Sequence, residues 1–178
     1  MRAIFAHRRL REKPPAGGVS VYRESVAADP ALVECSRRLL ARLNWQGVAM
    51  VEYKVDGSTG IPYLMEINGR FWGSLQLAVE AGVDFPRLLL DVATGGGPSS
   101  PPDWSVGVRS RWWWGDVDHL LAMFRRSRAA LALPPGHPGR VATLVDFLVP
   151  RAANRNETLQ FDDPKPFFIE TLEWLRGR

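Results

Sequence analysis

The 178-residue sequence contains one cysteine, three histidines, three lysines and no apolar run near the roughly 20 residues that span a bilayer. A lone Cys35 excludes an internal disulfide and a cysteine-rich zinc site, and it fits a reducing compartment with the thiol in the core. Without a long apolar run there is no membrane-spanning helix to expect. The opening Met1-Arg2-Ala3-Ile4-Phe5-Ala6-His7-Arg8-Arg9 turns basic too early for a signal peptide, so a cytoplasmic location is expected. Long basic blocks are missing as well. Net charge is +4, and Arg8-Arg9-Leu10-Arg11, Arg37-Arg38 and Arg125-Arg126-Ser127-Arg128 are too short and scattered for a nucleic-acid footprint. Neither a membrane nor a nucleic acid is an expected partner. What is present, 46% hydrophobic and 24% charged residues in 19.9 kDa, suffices for a compact fold with a core.

The first 25 residues read as strand, loop, strand, broken at Lys13-Pro14-Pro15-Ala16-Gly17-Gly18. Asp29 as cap, Pro30 in the first turn and Leu32, Cys35, Leu39, Leu40 and Leu43 at helical spacing predict a helix over residues 30–43, with Arg37, Arg38 and Arg42 on its solvated face. Residues 48–55 and 61–68, joined by Asp56-Gly57-Ser58-Thr59-Gly60, predict a β-hairpin. Two helices follow, one from Leu75 to a stop near Gly82 and one from Asp84-Phe85-Pro86 to Gly95. A Gly-, Pro- and Ser-rich loop then covers residues 95–102. Beyond it the pattern predicts a strand over 106–114, a helix over 116–130, a Pro-Gly loop over 134–139, a strand over 141–149 and a last helix capped near Asp163-Pro164. The fold class expected is α+β, an antiparallel sheet backed by helices.

Chemistry concentrates in the hairpin. Val48, Met50, Glu52 and Lys54 alternate onto one face of the first strand, and Leu64, Glu66 and Asn68 onto one face of the second. A turn centred near Thr59 pairs residues whose numbers sum to about 118, which sets Glu52 opposite Glu66. Like charges directly opposite destabilise a sheet, so the pair calls for a cation. Either a divalent metal sits there, with Asn68 adding an amide oxygen, or Lys54 and Arg70 neutralise the carboxylates on an exposed surface.

The stretch Gly47-Val48-Ala49-Met50-Val51-Glu52-Tyr53-Lys54-Val55-Asp56, followed by Pro62-Tyr63-Leu64-Met65-Glu66-Ile67-Asn68-Gly69-Arg70-Phe71-Trp72-Gly73-Ser74, resembles the metal-binding end of an ATP-grasp ligase domain. The resemblance implies that Glu52, Glu66 and Asn68 hold Mg²⁺, with Mn²⁺ as the alternative, against the phosphates of ATP. It also implies that Arg70 neutralises the transferred phosphoryl group and that Lys54 contacts phosphate or balances charge. His7-Arg8-Arg9-Leu10-Arg11 through Gly17-Gly18-Val19-Ser20 resembles the strand and glycine-rich loop before the ligand hairpin in members related to carbamoyl-phosphate synthetase. There His7, Arg8 and Arg9 either face phosphate or are plain surface charge, and Arg9 is carried as a nucleotide-binding candidate. On this resemblance residues 1–95 are a C-terminal ATP-grasp lobe and residues 96–178 a family-specific extension on the same core. The substrate implied is a small-molecule carboxylate, activated as an acyl phosphate for an amine or other nucleophile, as in carboxylate-amine ligases.

A complete ATP-grasp enzyme has an earlier lobe with phosphate-binding lysines, and the matched segment begins after it. The expectation is therefore an N-terminally truncated domain whose activity needs the missing lobe or a protein partner. The alternative is a non-catalytic module, marked by an uncovered apolar edge at Trp112-Trp113-Trp114. Otherwise these tryptophans, as well as His119 and His137, read as packing residues.

Overall fold

A computed structural model describes residues 1–98, 100–133 and 136–177. The elements are β1 (His7–Lys13), β2 (Val19–Ser25), α1 (Pro30–Arg42), β3 (Met50–Val55), β4 (Pro62–Asn68), α2 (Leu75–Ala81), α3 (Phe85–Ala93), β5 (Arg109–Arg111), α4 (Trp113–Arg125), α5 (Arg140–Leu148), β6 (Asn154–Asn156) and α6 (Lys165–Leu175). The fold is α+β, as expected. One sheet has the order β1-β2-β5-β6, and β3 and β4 form a second, two-stranded sheet. β2 and β5 are antiparallel and β5 and β6 parallel, so the larger sheet is mixed rather than antiparallel throughout. None of the helices of the described residues is long and apolar enough to cross a membrane. The chain folds as two compact units, Met1–His7 with Val26–Ser105, and Arg8–Ser25 with the chain from Val106 onward.

In the first unit the helices obey their local signals. Asp29 caps α1 by accepting from Ala31 N at 2.8 Å, and Asp84 caps α3 by accepting from Arg87 N at 3.0 Å. Cys35 is exposed rather than in the core. The face of α1 turned inward runs through Leu32, Ser36, Leu39 and Leu40, and Cys35 lies at its edge, about 100° round the helix from Ser36. The core of this unit is Trp72, Leu77, Ala78, Ala81 and Val83. The loop over 95–102 carries no regular element among its described residues, and Ser99 lies outside them.

The second unit has charge in its interior. All residues of β2 but Val19 are buried, so its charged side chains need partners. Arg23 pairs with Glu157, while Glu24 takes Arg8 at 2.6 Å and Arg109 at 2.7 Å. Tyr22, fully buried, has the guanidinium of Arg11 4.3 Å and that of Arg111 4.8 Å from its ring centre. Asp116, also fully buried, accepts two 2.6 Å bonds from Arg11 and lies 3.1 Å from Arg111 Nε. Arg11 reaches Asp146 as well, which Arg151 contacts at 2.5 Å.

Several sequence expectations fail in this unit. The strand predicted over 106–114 shrinks to Arg109–Arg111, and α4 begins at Trp113 rather than at 116. Trp112 makes the last sheet bond, N to Val21 O at 2.8 Å, and its carbonyl closes the first helical turn onto Asp116 N at 2.9 Å. Gly115 permits this reversal, because a Cβ there would lie 2.4 Å from the Trp112 ring and 2.8 Å from Val21. The three tryptophans therefore fan out: Trp112 donates to Glu170, Trp113 packs on Phe147 with centroids 5.3 Å apart, and Trp114 stacks on Trp174 at 4.3 Å. Each of the three is half-buried. Residues 141–149 form helix α5, not a strand; helical spacing turns Thr143, Asp146 and Phe147 inward, and short β-branched runs do not by themselves distinguish the two states. α6 starts at Lys165 with no side-chain cap, so Asp163 does not cap it. Pro134 and Pro135 of the expected Pro-Gly loop lie outside the described residues.

His119 is buried on α4, its Nδ1 donating to Glu12 O at 2.6 Å, while its buried Nε2 has no hydrogen-bond partner among the described residues. Burial holds its pKa below the ordinary value, against the hydrogen bond to Glu12 and the charge of Asp116. The folded state thus binds fewer protons than the unfolded one below pH ~6.5. The resulting stability is complete above that pH and is lost as pH falls through the folded pKa. Urea midpoints should decline from pH 7 to 5, and His119→Gln should flatten that decline. Asp116→Ala leaves Arg11 and Arg111 buried without their shared carboxylate and should lower unfolding free energy by about 3–5 kcal/mol, measured by urea titration at pH 7.

Candidate metal and phosphate site

The hairpin β3–β4 places two carboxylates side by side. Its register pairs Met50 with Asn68, Val51 with Ile67 and Glu52 with Glu66, as the spacing predicts. An irregularity between Glu52 and Tyr53 then shifts the pairing, setting Tyr53 opposite Leu64 and Lys54 opposite Tyr63. Leu64 therefore shares the face of Tyr53 and not that of Glu66, contrary to simple alternation, and Val48 falls before the strand. Lys54 stays on the Glu52 face and is exposed. The turn is held by Asp56, whose Oδ1 accepts from Ser58 Oγ at 2.6 Å, Ser58 N at 2.8 Å and Thr59 N at 2.9 Å. Those bonds, the Ser58 hydroxyl first, hold its carboxyl far below the usual carboxylate range.

Glu52 is half-buried and Glu66 exposed. Asn68 Nδ2 donates to Glu66 Oε1 at 2.6 Å, which commits the amide nitrogen and leaves the amide oxygen as the end suited to a cation. Two residues on, Arg70 is exposed and donates from Nη1 to Phe71 O at 2.9 Å. Gly69 between them lets the ring of Trp45 lie against the backbone: a Cβ there would fall 2.2 Å from that ring, which would have to move.

The basic cluster near the N-terminus does not act as one group. Arg9 belongs to the second unit, donating to Glu12 at 3.0 Å and to Gly18 O at 3.1 Å, and Arg8 is held by Glu24. His7 belongs to the first unit, where its Nε2 lies 3.0 Å from Ser74 Oγ. Sequence reasoning missed this contact and that of Trp45 with Gly69, because neither pattern nor spacing announces a pair 67 or 24 residues apart. Only the position of Gly69 between two functional side chains hints at a close neighbour.

The donor set suits a hard divalent ion. Two carboxylates and one amide oxygen match the oxygen preference of Mg²⁺, which binds through one or two carboxylates with phosphate and water completing its octahedron. Among the described residues no group of three or more His, Cys, Asp or Glu side chains is placed to hold a metal.

The family described as "ATP-grasp in the biosynthetic pathway with Ter operon" matches residues 2–115. The chain belongs to this ATP-grasp family. Searches of curated proteins and of solved structures return no match. The ATP-grasp match contains Arg9, Glu52, Lys54, Glu66, Asn68 and Arg70, and the fold of this superfamily is one that binds ATP with Mg²⁺.

The opposed glutamates lead to a testable expectation about metal. Without divalent ions Glu66→Gln removes like-charge repulsion and should stabilise the protein by about 0.2–1 kcal/mol. In millimolar Mg²⁺ the order should reverse, with the unaltered protein gaining in thermal midpoint and the variant not, as scanning calorimetry with and without chelator would register.

Proposed function

We propose that this ATP-grasp domain supplies the metal- and phosphate-binding side of an ATP-dependent carboxylate-amine ligase. The observation that carries the reading is the register of β3 and β4, which sets Glu52 against Glu66 with Asn68 and Arg70 following at two-residue steps. On this reading residues 1–95 carry the lobe and residues 96–178 a family-specific extension. Glu52, Glu66 and the amide oxygen of Asn68 hold Mg²⁺, or Mn²⁺, whose charge offsets that of the ATP phosphates. Lys54, on the Glu52 face, adds a cation toward the same phosphates.

The substrate is a small carboxylate. One of its oxygens attacks the γ-phosphorus of ATP, ADP leaves, and the acyl phosphate so formed is opened by an amine with loss of phosphate. Arg70 contributes a permanently charged planar fork that stabilises charge on the phosphoryl group as it transfers. Its exposure leaves it open to a ligand, and its single described bond, to Phe71 O, leaves further donors for phosphate oxygens.

Calorimetric titration of the 178-residue protein with a non-hydrolysable ATP analogue tests the reading. Binding should require Mg²⁺ and weaken at least tenfold in Glu52→Gln and Glu66→Gln. Nucleotide affinity indifferent to Mg²⁺ and to both substitutions would rule it out.

A further inference from the structure

Residues 69–74 join the metal-ligating strand to α2 and carry Arg70 at an exposed position. This short segment is fixed at three points. Gly69 lies under the Trp45 ring, which is itself placed by Trp45 N donating to Leu40 O at 2.9 Å and Nε1 donating to Val48 O at 3.2 Å. Trp72 is buried and meets Phe85 edge-on, with centroids 5.2 Å apart. Ser74, 6% exposed, makes the 3.0 Å hydrogen bond to His7.

The His7 contact alone of these three is a hydrogen bond between side chains, and it ties the segment to the start of the chain. His7 is in turn backed by an aromatic series. Its ring stacks on Phe5 at 5.9 Å and 19°, Phe5 meets Trp104 edge-on at 5.9 Å, and Trp104 Nε1 donates to Val26 O at 3.0 Å. A serine hydroxyl 3.0 Å from an imidazole nitrogen also has the spacing of a nucleophile and its base, but a buried Ser74 is not reachable by a substrate. A positional role fits its burial.

We infer that His7 is a positioning residue for the phosphate site: through Ser74 it fixes the segment that presents Arg70 beside Asn68. The inference rests on the reading of Glu52, Glu66, Asn68 and Arg70 as the metal and phosphate groups. Mutual geometry of such groups matters steeply, since small misplacements of a charge-stabilising side chain lose much of its effect.

The test uses the full 178-residue protein, a non-hydrolysable ATP analogue with Mg²⁺ as the probe, and amide hydrogen exchange over residues 69–74. His7→Leu and Ser74→Ala should each weaken Mg²⁺-dependent nucleotide binding at least fivefold. The double variant should be no worse than either single one, because both remove the same bond. His7→Gln, which keeps a hydrogen-bonding group in reach of Ser74, should stay within about twofold of the unaltered protein. Exchange at 69–74 should quicken about tenfold in the Leu and Ala variants and not in the Gln variant.

Losses that add in the double variant, a Gln variant as impaired as the Leu variant, or unchanged exchange would each overturn the inference. If the unaltered protein shows no Mg²⁺-dependent nucleotide binding, the reading of the site fails, while hydrogen exchange still decides whether His7 holds the segment. A variant that loses its folded circular dichroism is judged through the Gln variant, which keeps the hydrogen bond.

Discussion

Asp116 is the point on which the second unit turns. A carboxylate with no exposed surface is sustained only by the cations around it, and Arg11 and Arg111 both reach it, the former through two 2.6 Å bonds. Those arginines come from β1 and β5, the carboxylate from the first turn of α4, and Arg11 passes on to Asp146 of α5. One buried charge thus dictates which strands flank β2 and which helices lie against them. Other arrangements of the same elements would strand a charge in a dry interior, so the network specifies the packing even where its net contribution to stability is small.

The hairpin of the first unit shows the opposite use of charge. Glu52 and Glu66 meet in register with like sign, half-buried and exposed respectively, where water tolerates what a core would not. Asn68 turns its amide nitrogen to Glu66, which orients those two side chains against each other. On the proposed reading, a divalent ion would turn this mildly unfavourable pairing into a favourable one. The Asp56 turn provides the stiffness that keeps the register, since three donors on one carboxylate oxygen leave that loop little freedom.

What could be read from the sequence divides along a physical line. α1 and α3 were legible because Asp29-Pro30 and Asp84-Phe85-Pro86 act within one turn of themselves. The Glu52 and Glu66 pairing was legible because a short turn fixes the register of its own hairpin, up to the irregularity at Tyr53. Residues 141–149 were not, because β-branched residues in a short apolar run fit either state, and the contacts of Asp146 and Phe147 that go with the helix are not local to it. The three-residue β6 carries no alternating pattern and exists through its pairing with β5. Cys35 was misplaced because helical spacing marks a stripe about 100° wide, and its edge is exposed. In the hairpin, the pairing of Glu52 with Glu66 was legible from local spacing, whereas the Ser74 and His7 contact depends on a fold that closes 67 residues of chain.

The family match ends at residue 115, yet the charges on the matched strands are answered from beyond it. Arg11, Arg23, Arg111 and Lys13 lie within the match, and their carboxylate partners Asp116, Asp146, Glu157 and Asp118 all lie after it. Guanidiniums on β1, β2 and β5 with little exposure could not be left in an apolar interior without those acids. Residues after 115 are therefore bound to the sheet by charge as well as by packing, with Trp112 and Trp114 bonded to Glu170 and Thr171 of α6. A sheet that carries this many buried cations constrains the chain after it to be acidic at matching positions.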